Sequence, residues 1–163
     1  MRTAKAARQS LDALRAEVEA MLIEREKVPP AVPWASTLRS KLQQPPDVTL
    51  RAQWLLSEGR SNDALALATG PNQCHPQRLL DVAATLGVSR HAEAFALIDR
   101  VAQQTIQRTT GRYDEAIDLV SQACARLGSG AARQYLERLR VEYKAKRNFV
   151  KGIDALHRPA SAA

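Results

Sequence analysis

The chain has 163 residues, of which 45% are hydrophobic, 25% charged and only 4% aromatic, the balance expected of a soluble globular protein and not of a disordered or membrane one. Ala, Leu, Arg, Gln and Glu dominate, side chains that lose little freedom on entering a helix, so one compact all-α unit is expected. The formal net charge of +7 would attract nucleic acid, acidic proteins or an anionic membrane surface, and excludes none of them.

The basic start "MRTAKAARQS" runs into "LDALRAEVEA", where Asp12, Glu17 and Glu19 stand in place of the apolar run a signal peptide needs. A cytoplasmic location is expected, although an Arg- and Ala-rich amphipathic start also fits an organellar transit peptide. Ser10 is a plausible N-cap for a first helix whose Leu11, Leu14, Val18, Met21 and Leu22 fall at helical spacing, a stripe that implies a partner surface within the fold. Pro29-Pro30 stops it. Pro33 opens a short second helix stacking Trp34, Leu38 and Leu42, ended by Pro45-Pro46. Asp47 caps a third helix with Leu50, Trp54 and Leu55, closed by Gly59. Ser61 caps a fourth, "NDALALAT", that Gly70-Pro71 terminates, and "GPNQCHP" is a loop.

Pro76 fits the first turn of a helix carrying Leu79, Leu80, Ala83 and Leu86, stopped by Gly87. Ser89 starts a longer helix through Ala94, Leu97, Ile98, Val101 and Thr105 toward Gly111. The next presents Tyr113, Ala116, Ile117, Val120, Ala123 and Leu127 on one face and ends in "GSG". A last helix from Ala131 presents Tyr135, Leu139, Tyr143 and Val150. Several of these helices fall below the roughly 12 to 15 residues that are marginal alone in water, so their stability must come from packing in antiparallel pairs. No segment has strand alternation or a hairpin signal.

Gly111, Tyr113, Ala116, Val120 and Ala123 have the order and spacing of the second half of a tetratricopeptide repeat, in which small residues let paired helices approach and a large one fills the gap beside the turn. Weaker echoes occur at Gly59, Ala64 and Ala68 and at Ser89, Ala94 and Ile98. They do not keep the period of about 34 residues of that class. The run "LLSEGRSNDALALA", "LLDVAATLG", "HAEAFALIDRVAQQTIQR", "GRYDEAIDLVSQACARLG" and "YLERLRVEYKAKRNFVKGIDAL" resembles the C-terminal helical region of bacterial SWIM zinc-finger proteins, and a related bacterial domain of unknown function, over Leu55 to Leu156. The resemblance implies an irregular α-α superhelix of antiparallel helical hairpins, tetratricopeptide-like in character. The Cys-x-Cys and Cys-x-His pairs of the SWIM finger are absent, so its zinc is not carried over, nor is any catalytic residue. The expected layout is a single helical repeat domain over 1–163, with N-terminal helices over 1–46, the family-like region over 47–156 and a disordered tail over 157–163.

His75, His91 and His157 are scattered, with no Cys or carboxylate at metal spacing, so no metal ligand set is expected. Cys74 and Cys124 form no CxxC pair and read as buried thiols in a reducing compartment. Cys74-His75 lacks a nucleophile elbow or an oxyanion-type glycine run, and the glycines belong to helix ends, so neither catalysis nor a cofactor is expected. Trp34 and Trp54 read as core anchors. Arg133, Arg140, Lys144, Arg147 and Lys151 recur at three-, four- and seven-residue steps and are expected to line one face of the last helix, a surface for an acidic peptide or for phosphates. Glu137 and Glu142 dilute that field, so a solvated face is the plainer alternative. The sequence thus predicts a non-enzymatic helical-repeat scaffold that binds another protein, with no membrane contact; the alternative is a nucleic-acid-associated module that uses the basic C-terminal helix.

Overall fold

The computed structural model describes residues 2–27 and 46–156. They form α-helices, one 3-10 turn and no strand. The expected helix of Trp34, Leu38 and Leu42, the proline corners at 29–30 and at Pro45, and the tail with His157 lie outside the described residues. The sequence predicts one compact unit; the backbone gathers into two, over 1–75 and 76–163.

In the first unit α1 spans Arg2–Glu26, α2 Thr49–Ser57 and α3 Ser61–Thr69. Ser10 is no cap: the Ala-rich start is itself a good helix former, so α1 begins eight residues earlier. The expected stripe of α1 does not face the core either. Leu11, Leu14, Val18 and Met21 are 53, 55, 39 and 66% exposed. The helix instead turns the neighbouring face toward α2, through ion pairs from Arg15 to Glu58, from Glu19 to Arg60 (2.8 Å) and from Glu26 to Arg51 (3.0 Å). Burial lifts the Glu26 carboxyl above its ordinary value despite the opposing charge of Arg51.

Asp47 does serve the start of α2, its Oδ1 accepting from the Thr49 backbone N–H at 3.0 Å. Leu55 is buried, Trp54 only half-buried, and Leu50 is exposed. Gly59 takes φ +71, and the N–H groups of Arg60 and Gly59 return to Leu55 O (2.8 Å) and Leu56 O (3.1 Å), which satisfies two orphan carbonyls of α2. Ser61 is the first residue of α3 and makes no side-chain cap; an Arg60–Asp63 ion pair at 2.6 Å stands at that end. The "GPNQCHP" loop is tied back by a parallel bridge that the sequence does not signal: Val48 N–H donates to Gln73 O (2.9 Å) and Gln73 N–H to Pro46 O (3.0 Å).

In the second unit α4 spans Pro76–Thr85, a 3-10 turn Val88–Arg90, α5 His91–Arg108, α6 Asp114–Cys124, α7 Ser129–Glu142 and α8 Arg147–Leu156. Helix α5 packs between α4 and α6, and α6 between α5 and α8; the turns are short, so successive partners run back on one another. Leu79, Val82, Ala94, Ala102, Ile106, Ala116, Val120, Ala123, Leu139 and Phe149 are fully buried. Gly111, at φ +105, turns the chain between α5 and α6 in a conformation that L side chains rarely adopt. The expected long last helix is broken. Tyr143 and Lys146 form a turn, and α8 folds back so that Phe149 meets Tyr113 and Tyr143, both with ring centroids 5.7 Å apart.

Candidate surface on the second unit

The break decides where the five basic residues go. Arg133 and Arg140 are on α7, Lys144 is in the turn, and Arg147 and Lys151 are on α8, so they do not line one face of one helix. No proline or glycine interrupts "LRVEYKAKRNF"; tertiary packing overrides a continuous helical pattern there. Lys146 shows why. Its Nζ donates to Ile106 O (2.8 Å), Thr109 O (3.1 Å) and Tyr113 Oη (3.4 Å), and it sits 5.3 Å from the centroid of the Tyr113 ring. The ammonium thereby meets carbonyls at the C-terminal end of α5, where the helix dipole favours a cation. It is a structural lysine, and the sequence pattern had no way to separate it from its exposed neighbours.

The five differ in environment. Arg140 is held by Asp154 (3.3 Å) and Glu137 (3.7 Å), so much of its field is spent within the fold. Arg133, Lys144, Arg147 and Lys151 are exposed; among the described residues none of them has an ion-pair partner. Arg133 stands on an open cleft of about 490 Å³, lined also by Ser121, Cys124, Ser129, Ala132, Leu136 and Leu156. Three helices build it: the end of α6, the first two turns of α7 and the end of α8. Leu156 is 38% exposed, an apolar wall on a cleft whose rim carries a cation. Burial pushes the Cys124 thiol up, which keeps it neutral and a poor nucleophile.

Beneath α7, Tyr135 Oη donates to Asp99 Oδ1 at 2.7 Å while Arg138 reaches Asp99 Oδ2 at 3.3 Å and stacks over the Tyr135 ring at 5.2 Å. Burial first, and the bond to Asp99 second, hold the Tyr135 phenol far above its ordinary value. Phe95 meets the same ring edge-on at 5.1 Å. Tyr143 Oη donates to Gln103. These contacts fix α7 on α5. They are lock more than site.

The histidines play separate parts. His91 opens α5 and its Nδ1–H donates to Arg126 O at 3.2 Å, and His75 is exposed in its loop. Trp54 carries the Arg60 guanidinium 5.6 Å from its ring centroid. Among the described residues no helix is long and apolar enough to cross a membrane. Sequence reasoning missed the cleft residues Ser121, Leu136 and Leu156, because only the unsignalled turn after Glu142 brings the end of α8 beside the start of α7. No protein-family model, curated protein or solved structure matches this chain.

Proposed function

We propose that the chain is a non-enzymatic cytoplasmic scaffold that binds another protein, its hairpins belonging to the irregular tetratricopeptide-like superhelix class. The observation that carries this reading is the open cleft at Arg133, a cation without an ion-pair partner among the described residues, beside Leu136 and the exposed Leu156. Such a seat suits an extended or helical segment that offers one apolar side chain next to a carboxylate. A peptide-display selection on the full chain tests it. Enrichment of acidic-apolar segments, weakened at least tenfold by Arg133→Glu and by Leu156→Ser, is expected. Equal retention of basic peptides, or binding indifferent to both substitutions, refutes the assignment.

A second reading, a nucleic-acid-associated module, is favoured by the exposure of Lys144, Arg147 and Lys151 and by their lack of ion pairs among the described residues. Four phosphate contacts, from these three and Arg133, would give log affinity against log salt a slope of about −3.6. Changing Lys144, Arg147 and Lys151 together to Gln would flatten it by roughly 2.7. Tight binding lost in that variant favours this reading over the scaffold. Weak binding that tracks only net charge favours the scaffold.

A further inference from the structure

We propose that α1 is a salt-released arm: its N-terminal half lifts from α2 as an intact helix when ions screen the contacts that hold it, and it pivots at the Glu26 end. None of residues 8–27 is buried, whereas α2 buries Ala52 and Leu55 and α3 buries Ala64, Leu65 and Ala68. Glu19, Leu22, Ile23 and Glu26 are the half-buried residues of α1, and their three- and four-residue steps put them on one face of the helix. Two of the four are carboxylates. No apolar side chain among residues 8–27 is fully withdrawn from water, so charge supplies a large share of the hold.

The charges are matched end to end. Arg15 pairs with Glu58, just past the last turn of α2, and Glu26 pairs at 3.0 Å with Arg51 in its first turn. A cation thus stands at the carbonyl end of α2 and a carboxylate at its amide end, the two placements that the helix dipole favours. Between them along α1, Glu19 accepts from Arg60 at 2.8 Å.

Salt reaches the three pairs unequally. The side chains of Arg15 and Glu58 are 52 and 24% exposed and those of Arg60 and Glu19 41 and 30%, against 17 and 10% for Arg51 and Glu26. Exposed pairs are screened as the Debye length falls from ~10 Å at 0.1 M to ~3 Å at 1 M, and enclosed pairs much less. The two outer contacts therefore give way first, and the Glu26 contact remains as the pivot. Each freed arginine keeps a local carboxylate: Arg15 has Asp12 at 3.4 Å in its own helix, and Arg60 has Asp63 at 2.6 Å. The helix need not melt either, since its 25 residues exceed the ~12–15 at which an isolated helix is marginal.

Double electron–electron resonance on the full chain tests the release, in a Cys74→Ser/Cys124→Ser background. Nitroxides are placed at Ala16→Cys with Gln53→Cys, or at Arg25→Cys with Gln53→Cys, all exposed positions. Between about 0.01 M and about 1 M sodium chloride, the ratio of long to short distances from 16 to 53 should rise about tenfold. The distance from 25 to 53 should hold, and the far-ultraviolet circular dichroism should keep its helical signal. Arg15→Glu should release the arm at low salt, and Glu58→Arg added to it should close it again. Distances from 16 to 53 that are the same at both salts overturn the proposal, because contacts other than these ion pairs, such as any with residues 28–45, would then hold the helix. A distance from 25 to 53 that lengthens in step with the first removes the pivot and overturns it too. So does a helical signal that falls on release, or an Arg15→Glu variant that Glu58→Arg fails to close.

Discussion

Gly152 stands inside α8, where glycine costs about 1 kcal/mol relative to alanine, so Gly152→Ala would ordinarily stabilise. Here a methyl group would fall well inside contact distance of Ile117 Cδ1 on α6 and 3.0 Å from Ile117 Cγ1. The far methyl can rotate aside. Cγ1 cannot, because a β-branched side chain in a helix has one strongly preferred χ1, and leaving it costs about 0.5–1.5 kcal/mol. Either that rotamer or the α6–α8 spacing must give, an overpacking cost of about 1–3 kcal/mol. Set against the propensity gain of about 1 kcal/mol, the single variant should lose up to about 2 kcal/mol. Ile117→Ala removes both obstructing atoms, and in that background Gly152→Ala should gain about 1 kcal/mol. The double-mutant cycle then carries a coupling of about 1–3 kcal/mol, read from urea unfolding followed by circular dichroism. Additivity within about 0.3–0.5 kcal/mol, or a full stabilisation by the single variant, would refute the close approach.

Ala116 is fully buried on α6, and Ala116→Leu should lower stability by about 1–3 kcal/mol; an unshifted denaturation midpoint would place it at a surface. Lys146→Met keeps the aliphatic stem but strips the Ile106 and Thr109 carbonyls of their donor, and thermal denaturation should register a loss of about 1–3 kcal/mol. The raised phenols of Tyr135 and Tyr143, both lifted mainly by burial, set an alkaline limit. The unfolded chain releases these protons near pH ~10 while the native chain retains them, so their contribution is present below that pH and lost as pH rises above it. Stability against pH should fall above that value, and Tyr135→Phe should flatten the fall; phenolate absorbance from Tyr135 in the still-native protein would contradict it.

Composition and spacing were enough to make the all-helical class legible, and several ends with it. Pro76 opens α4, Gly59 closes α2, and Ala94, Ala116, Val120 and Ala123 are buried where small or apolar residues recur at helical spacing. Other features came from tertiary choice. Leu11, Leu14, Val18 and Met21 have the spacing of a core face, and periodicity does not say whether the covering surface belongs to the same chain. The turn at Tyr143 has no local breaker: what ends α7 is the burial of Tyr143 and Phe149 and the reach of Lys146 to carbonyls nearly forty residues upstream. Arg140 and Lys144 look alike in the sequence, but Arg140 is held by Glu137 on its own helix and by Asp154, brought round by that turn, while Lys144 has no ion-pair partner among the described residues. The cleft at Arg133 depends on the same turn and was hidden for the same reason.

The Lys146 contact also bears on how the chain is made. The Ile106 carbonyl waits for a partner 40 residues further on, which at ribosomal rates of about 5–20 residues per second is a delay of roughly 2–8 s. During that interval the hairpin of α5 and α6 can already exist while the side of α6 that α8 will cover is still bare. An apolar face shown for seconds is what chaperones and aggregation both act on. A message truncated before codon 146 would make that exposure permanent, so losing a tenth of the chain at its C-terminal end should be more harmful than losing a similar length from the start of α1.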